Sequence, residues 1–206
     1  MKRGLLLLVV LAVIGTIAWY SLVTKRTPKE EVPKEQPVAV SQYSPEFNRS
    51  IDTFLNSYYN LTEALVNWDS IAVTNTAQTM DQALAHVKWN DLQKDTVIYQ
   101  TATSDTGNFR NDLNVLSGTD DLTTKRHSFH GLTQNLYDLL RTIKYDGTKL
   151  YLQQCPMAFG DNTEGVWLSK NEKIRNPYLG LHHPKYKGSM ISCGETKDTL
   201  NFQAHE

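Results

Sequence analysis

The chain has 206 residues and a formal net charge of −1, room for one domain of ordinary size plus a tail, with no charge bias toward any partner. At 40% hydrophobic and 21% charged residues, with Gly 11, Pro 7 and Cys 2, it is neither collagen-like nor wholly disordered, nor a disulfide-stapled miniprotein. A multi-span membrane protein is excluded too, because one apolar run alone is long enough to cross a bilayer.

That run is Gly4 to Val23, GLLLLVVLAVIGTIAWYSLV, uncharged throughout. As a helix it would span roughly 30 Å, the thickness of a bilayer's hydrocarbon core. Lys2 and Arg3 precede it and Lys25 and Arg26 follow it, so the flanking charges decide orientation only weakly. Residues 1–26 are therefore expected to be a membrane anchor, or a signal segment cleaved after Thr16 and Ala18. Trp19 and Tyr20 extend the run past that point and suit a membrane interface, which favours the anchor. Either way the rest of the chain is expected outside the cytoplasm, on the periplasmic side, and the inner membrane is the partner of the N-terminal segment. Residues 27–44 carry three prolines and mixed charge, an extended linker by composition.

Residues 45–206 are read as a single helical domain with 15 Lys+Arg against 19 Asp+Glu and no basic cluster, which sets a nucleic-acid partner aside. Ser44-Pro45-Glu46 is a helix start, with a capping serine, a first-turn proline and an acid suited to the dipole. Phe47, Ile51, Phe54, Leu55, Tyr58, Leu61 and Leu65 then recur at three- and four-residue spacing. Asn67-Trp68-Asp69 breaks the chain, and Asp69 can cap a second helix from about Ser70 to Val87. Residues 90 to 116 are more polar and hold Gly107, so a third helix is expected there, bent or split. A fourth runs from Asp120 or Asp121 to Lys144, with Phe129, Leu132, Leu136, Leu139, Leu140 and Ile143 on one face and Asp146-Gly147 closing it. The expected fold is mainly α, an antiparallel bundle of about four helices.

From 148 onward the composition turns to Gly, Pro, Asn and Asp. Leu150-Tyr151-Leu152 is strand-like, and the rest of 148–206 has no helical period, so the segment is expected to be loop-rich with little strand. Long irregular segments in compact domains tend to be functional. Both cysteines lie here beside two of the four methionines, in Cys155-Pro156-Met157 and Met190-Ile191-Ser192-Cys193-Gly194. Two thiolates and two thioethers form a soft donor set, suited to Cu(I) or Ag(I) and not to Mg, Ca or Mn. An isolated cysteine pair in an oxidising compartment equally reads as a disulfide, Cys155 to Cys193. Both readings stand at this point.

Residues from about Phe47 to Thr196 resemble an uncharacterised bacterial extracytoplasmic domain family that is also found fused to periplasmic adaptor subunits of heavy-metal (copper/silver) efflux systems. The likeness is carried by Tyr58-Tyr59, Leu61 and Ala64-Leu65, by Phe129 with Leu132, and most specifically by the tail. There it comprises Gln154-Cys155-Pro156-Met157, Trp167-Leu168-Ser169, Ile174, Asn176-Pro177-Tyr178, Gly180, Met190 and Cys193-Gly194. The resemblance implies a helical domain in a heavy-metal setting, with efflux or other envelope proteins as partners and Cys155, Met157, Met190 and Cys193 as the matching Cys/Met positions. Between Gly180 and Met190 the chain is longer than the family's usual connection and adds His182 and His183, which can complete a metal site or separate its two halves.

Other candidates weigh less. His127 and His130 are three apart on the fourth helix, a spacing compatible with coordination, but Lys125 and Arg126 beside them suggest an ordinary solvated face. His86 reads as a favourable C-terminal cation, and Phe159, Trp167 and Tyr178 as a small core under the tail. No GxSxG, HExxH or Gly-rich phosphate loop occurs, so no enzymatic activity is expected.

Overall fold

The computed structural model of the chain describes residues 42–160 and 163–203, together with Thr16, Trp19 and Tyr20. The chain divides into two units, 1–37 and 38–206, and the fold below is that of the second. The apolar run falls almost wholly outside the described residues, among which no helix is long and apolar enough to cross a membrane.

The fold is mainly helical. Four α-helices, α1 (Pro45–Val66), α2 (Ser70–Ala85), α3 (Thr96–Gly118) and α4 (Leu122–Thr142), precede a small sheet of β1 (Leu150–Cys155), β2 (Gly165–Ser169) and β3 (Glu195–Leu200). A side chain caps the start of each of these four helices. Ser44 Oγ accepts from the Phe47 N–H at 3.1 Å, Asp69 from Ala72 at 2.9 Å, Asp95 from Val97 and Ile98 at 3.0 and 3.1 Å, and Asp121 from Thr124 at 2.8 Å. Each satisfies amide donors that a helix N-terminus leaves over. Helices α1 and α2, α2 and α3, and α3 and α4 pack in succession. Their apolar stripes close over one core, in which Phe54, Tyr58, Leu61, Met80, Phe109, Phe129 and Leu136 are fully buried.

Two details differ from the sequence expectations. The region 90 to 116 is split, though not at Gly107: Trp89–Lys94 form a short 3-10 helix, and the Asp95 cap then starts α3 afresh. Gly107 does not break α3, since it lies on an open face where a Cβ would meet nothing within 4 Å. Lys125 and Arg126 are not on a solvated face; they are 0% and 4% exposed. Lys125 Nζ donates to the Ser70 carbonyl at 2.8 Å and to Thr74 Oγ1 at 2.7 Å, so the buried ammonium is satisfied at the start of α2.

The tail holds more regular structure than its composition suggests. The antiparallel order is β2-β1-β3, with Leu152 opposite Leu168 and Leu150 opposite Leu200. Tyr58 ties sheet to bundle: its hydroxyl accepts the Leu168 N–H at 3.0 Å and shares a 2.8 Å hydrogen bond with Thr133 Oγ1.

Candidate functional site

Two elements bring the cysteines together. Cys155 is the last residue of β1 and fully buried. Cys193 ends a turn in which its N–H donates to the Met190 carbonyl at 3.0 Å, immediately before β3. The last β1–β3 pair is Gln154 with Glu195, so the next step along each strand sets Cys155 beside the Cys193–Gly194 turn. The two Sγ atoms stand 3.9 Å apart, and both cysteines are free thiols. Burial first, then the neighbouring Cys155 thiol, pushes the Cys193 thiol up from its ordinary pKa.

Gly194 allows this approach. Its φ of +137° is a region that side chains rarely adopt, and it lies directly against the backbone of β1. Asn176 holds the turn from the other side. Its backbone N–H donates to the Ile191 carbonyl at 2.9 Å and its Nδ2 to the Cys193 carbonyl at 2.7 Å, while its Oδ1 accepts from the Tyr178 and Leu179 N–H groups at 2.8 and 2.9 Å. Asn176 was not among the residues singled out for chemistry. An Asn before a Pro in a loop signals a turn, and here that turn positions a thiol.

The remaining candidates divide. Met190 is half-buried against the core, its carbonyl shaping the Cys193 turn. Met157 is half-buried too and lines a cavity with Arg126, His127 and His183. His182 is exposed. His183 packs its ring edge on Trp68 at 5.0 Å, and its Nδ1 accepts from the Lys185 and Tyr186 N–H groups at 3.1 and 3.2 Å. Among the described residues no three His, Cys, Asp and Glu side chains gather into a metal-sized group, so neither histidine joins the two cysteines in one. His127 stacks on Phe159 at 3.9 Å, and His130 Nδ1 accepts the Val166 N–H at 3.2 Å; both fasten the tail to α4. His86 caps α2, its Nδ1–H donating to the Gln82 carbonyl at 2.7 Å. Phe159, Trp167 and Tyr178 form the aromatic core under the tail, with Tyr178 5.2 Å from Phe159 and 6.1 Å from Trp167.

The thiol separation can be compared with what a bound ion and a disulfide would each require. Two thiolates at about 2.3 Å from one ion with a tetrahedral angle between them stand about 3.8 Å apart, close to the separation found here. A disulfide needs the same two sulfurs at about 2.05 Å, within reach of small side-chain rotations from this position.

A family described as a protein of unknown function, DUF3347, matches residues 54–147. The matched stretch runs from α1 to the end of the helical region and stops short of β1 and both cysteines. No curated protein and no solved structure matches the chain.

Proposed function

We propose that the chain is an extracytoplasmic binding domain, without catalytic activity, that holds a soft monovalent ion, Cu(I) in preference to Ag(I), for efflux, sequestration or handover. Cys155 and Cys193 are its thiolate ligands, and Met157, two residues beyond Cys155, and Met190, in the turn that ends at Cys193, are its thioethers. One observation carries the reading: two cysteines 38 positions apart meet at 3.9 Å, where the end of β1 faces the turn before β3. Soft thiolate and thioether donors select Cu(I) over hard cations whatever the exact coordination number. The resemblance of the tail motifs to a domain fused to heavy-metal efflux adaptors supports the same setting, as does the apolar N-terminal run that would hold the domain outside the cytoplasm. Heavy-metal efflux or other envelope proteins are the partners this reading implies.

Competition against a Cu(I) chelator of known affinity tests it. One tightly bound equivalent is expected, lost when both cysteines are changed to serine; equal affinity in that double variant would overturn the assignment.

The same proximity favours a second reading, a disulfide-fastened interaction module of the cell envelope without metal. Closing the 38-residue loop would stabilise the tail, by about 3 to 4 kcal/mol in the chain-entropy model. Thiol counting on native, metal-free protein separates the two. Two reactive thiols shielded by Cu(I) support the metal site, and none before strong reduction supports the module.

A further inference from the structure

A second site lies away from the thiol pair. A cavity of about 320 Å³ opens between α4, the Trp68 corner after α1, and the loops holding Met157–Gly160 and His183–Tyr186. Among the described residues its lining includes Arg126, Lys185, His127 and His183 and no Asp or Glu. That is a local inversion of charge, because residues 45–206 carry four more acidic than basic side chains.

Arg126 is the centre of the imbalance. It is 4% exposed, and no carboxylate lies within ion-pair distance of it among the described residues. Its Nε donates to the Pro177 carbonyl at 3.2 Å, Nη1 to Leu122 at 3.3 Å and Nη2 to Leu65 at 3.1 Å. A guanidinium has five N–H groups, so one on each terminal nitrogen is left over. The Leu65 carbonyl belongs to the C-terminal end of α1, whose dipole offsets about half an elementary charge at most. Burial accordingly lowers the Arg126 pKa to about 10, opposed by Tyr178 and then by Asp121. His183 adds to the donor set: its Nδ1 accepts two backbone N–H groups, which leaves the ring proton on Nε2. The remaining walls are aromatic. The Arg126 guanidinium lies over the Trp68 ring at 3.9 Å, and Phe159 and Tyr186 complete the lining.

We propose that this cavity binds a small organic anion, a compact aromatic carboxylate, with its charged group on Arg126 and its ring against the Trp68, Phe159 and Tyr186 walls. The anion supplies the counter-charge that the buried guanidinium lacks and takes up its two unspent N–H groups, the planar pairing that Arg favours with carboxylates. The volume lies at the small end of the range for ligand cavities, which restricts the guest to one ring and its substituents. Neither cysteine lines this cavity, and Met157 is the one lining residue it shares with the proposed thioether set, so the anion site stands without the two thiolates.

Benzoate is the probe, titrated into the full chain while the ¹⁵N-labelled Trp68 indole and Arg126 Nε signals are followed. Saturable shifts at both are expected, with neutral benzamide bound about tenfold more weakly or worse. Arg126 itself is a poor variant, since its loss would orphan three carbonyls and unfold the tail. Lys185 is exposed on the lining, and Lys185→Glu is expected to weaken benzoate about fivefold while leaving the spectrum otherwise unchanged. The double cysteine-to-serine variant is expected to bind benzoate as the parent does. Equal binding of benzoate and benzamide, indifference to Lys185→Glu, or no saturation at about 20 mM, where millimolar affinity would already be evident, each overturns the proposal.

Discussion

The Gly194 Cα presses so closely on the Gln154 carbonyl that a Cβ at 194 would lie 2.5 Å from that oxygen, well inside contact distance. The same built atom would stand 3.1 Å from Trp167, which is fixed in the core and cannot withdraw. The approach of β3 to β1, and with it the meeting of the two thiols, rests on a residue without a side chain.

Gly194→Ala is therefore expected to cost about 2 to 4 kcal/mol, combining a strained positive φ with a backbone clash. It should also separate the sulfurs. Urea denaturation reads the first effect, and the yield of Cys155–Cys193 cross-linking by a short bis-thiol reagent reads the second. A variant of unchanged stability and unchanged cross-linking would refute the role given to this glycine.

How much of this was legible beforehand depended on whether the signal was local. Ser44, Asp69 and Asp121 announced three helix starts because an N-cap is a contact between residues two or three apart. Gly194 was legible as a turn residue for the same reason. The pairing of Glu195–Leu200 with β1 was not, since five of its six residues are exposed and no apolar alternation marks an edge strand of that kind. Nor was the burial of Lys125 and Arg126, most of whose partners are backbone carbonyls of α1, α2, α4 and the tail, groups that every residue carries and no motif records. The cysteines were singled out by residue type, but their convergence needed the strand pairing.

Tyr58 joins bundle and sheet through one hydroxyl. Tyr58→Phe keeps the ring stacked on Phe129, 5.4 Å away, and leaves the buried Leu168 N–H without a partner. A loss of about 1 to 3 kcal/mol is expected, with Thr133→Val milder because Tyr58 keeps its bond to Leu168. Comparing the two variants by thermal unfolding tests the order, and a larger loss for Thr133→Val would reverse the argument.

Asn176 offers a way to separate stability from site geometry. Asn176→Asp keeps an acceptor for the Tyr178 and Leu179 N–H groups but loses the donor to the Cys193 carbonyl, whereas Asn176→Ala loses all three side-chain bonds. The alanine variant is expected to be the less stable, by about 3 kcal/mol or more for several buried groups left unpaired. Both are expected to weaken Cu(I) retention relative to the parent, because both release the Cys193 turn. A stable aspartate variant with undiminished Cu(I) retention would mean that the turn holds without Asn176.

Two histidines make the tail's attachment sensitive to mild acid. Burial, opposed by Glu164 and reinforced by His127 and Lys197, holds the His130 pKa below its ordinary 6.5; burial, with Arg126 and Lys185, does the same for His183. In each case Nδ1 accepts backbone N–H groups, from Val166 at 3.2 Å and from Lys185 and Tyr186 at 3.1 and 3.2 Å, so protonation there would remove an acceptor. Because the folded state binds these protons less readily than the unfolded chain, stability rises with pH wherever the unfolded histidines are still protonated. The contribution is complete above about pH 6.5, the unfolded value, and is lost as the pH falls from there through the folded values. Asp112, whose carboxyl is raised by burial, acts in the opposite sense and cannot produce such a loss. Urea midpoints are therefore expected to fall between about pH 7.5 and 5.5, a window above the ordinary carboxylate range. In a variant carrying His130→Asn and His183→Asn, where each amide oxygen keeps the acceptor and nothing titrates, that fall should flatten. An equal drop in the double variant would place the acid sensitivity on other groups.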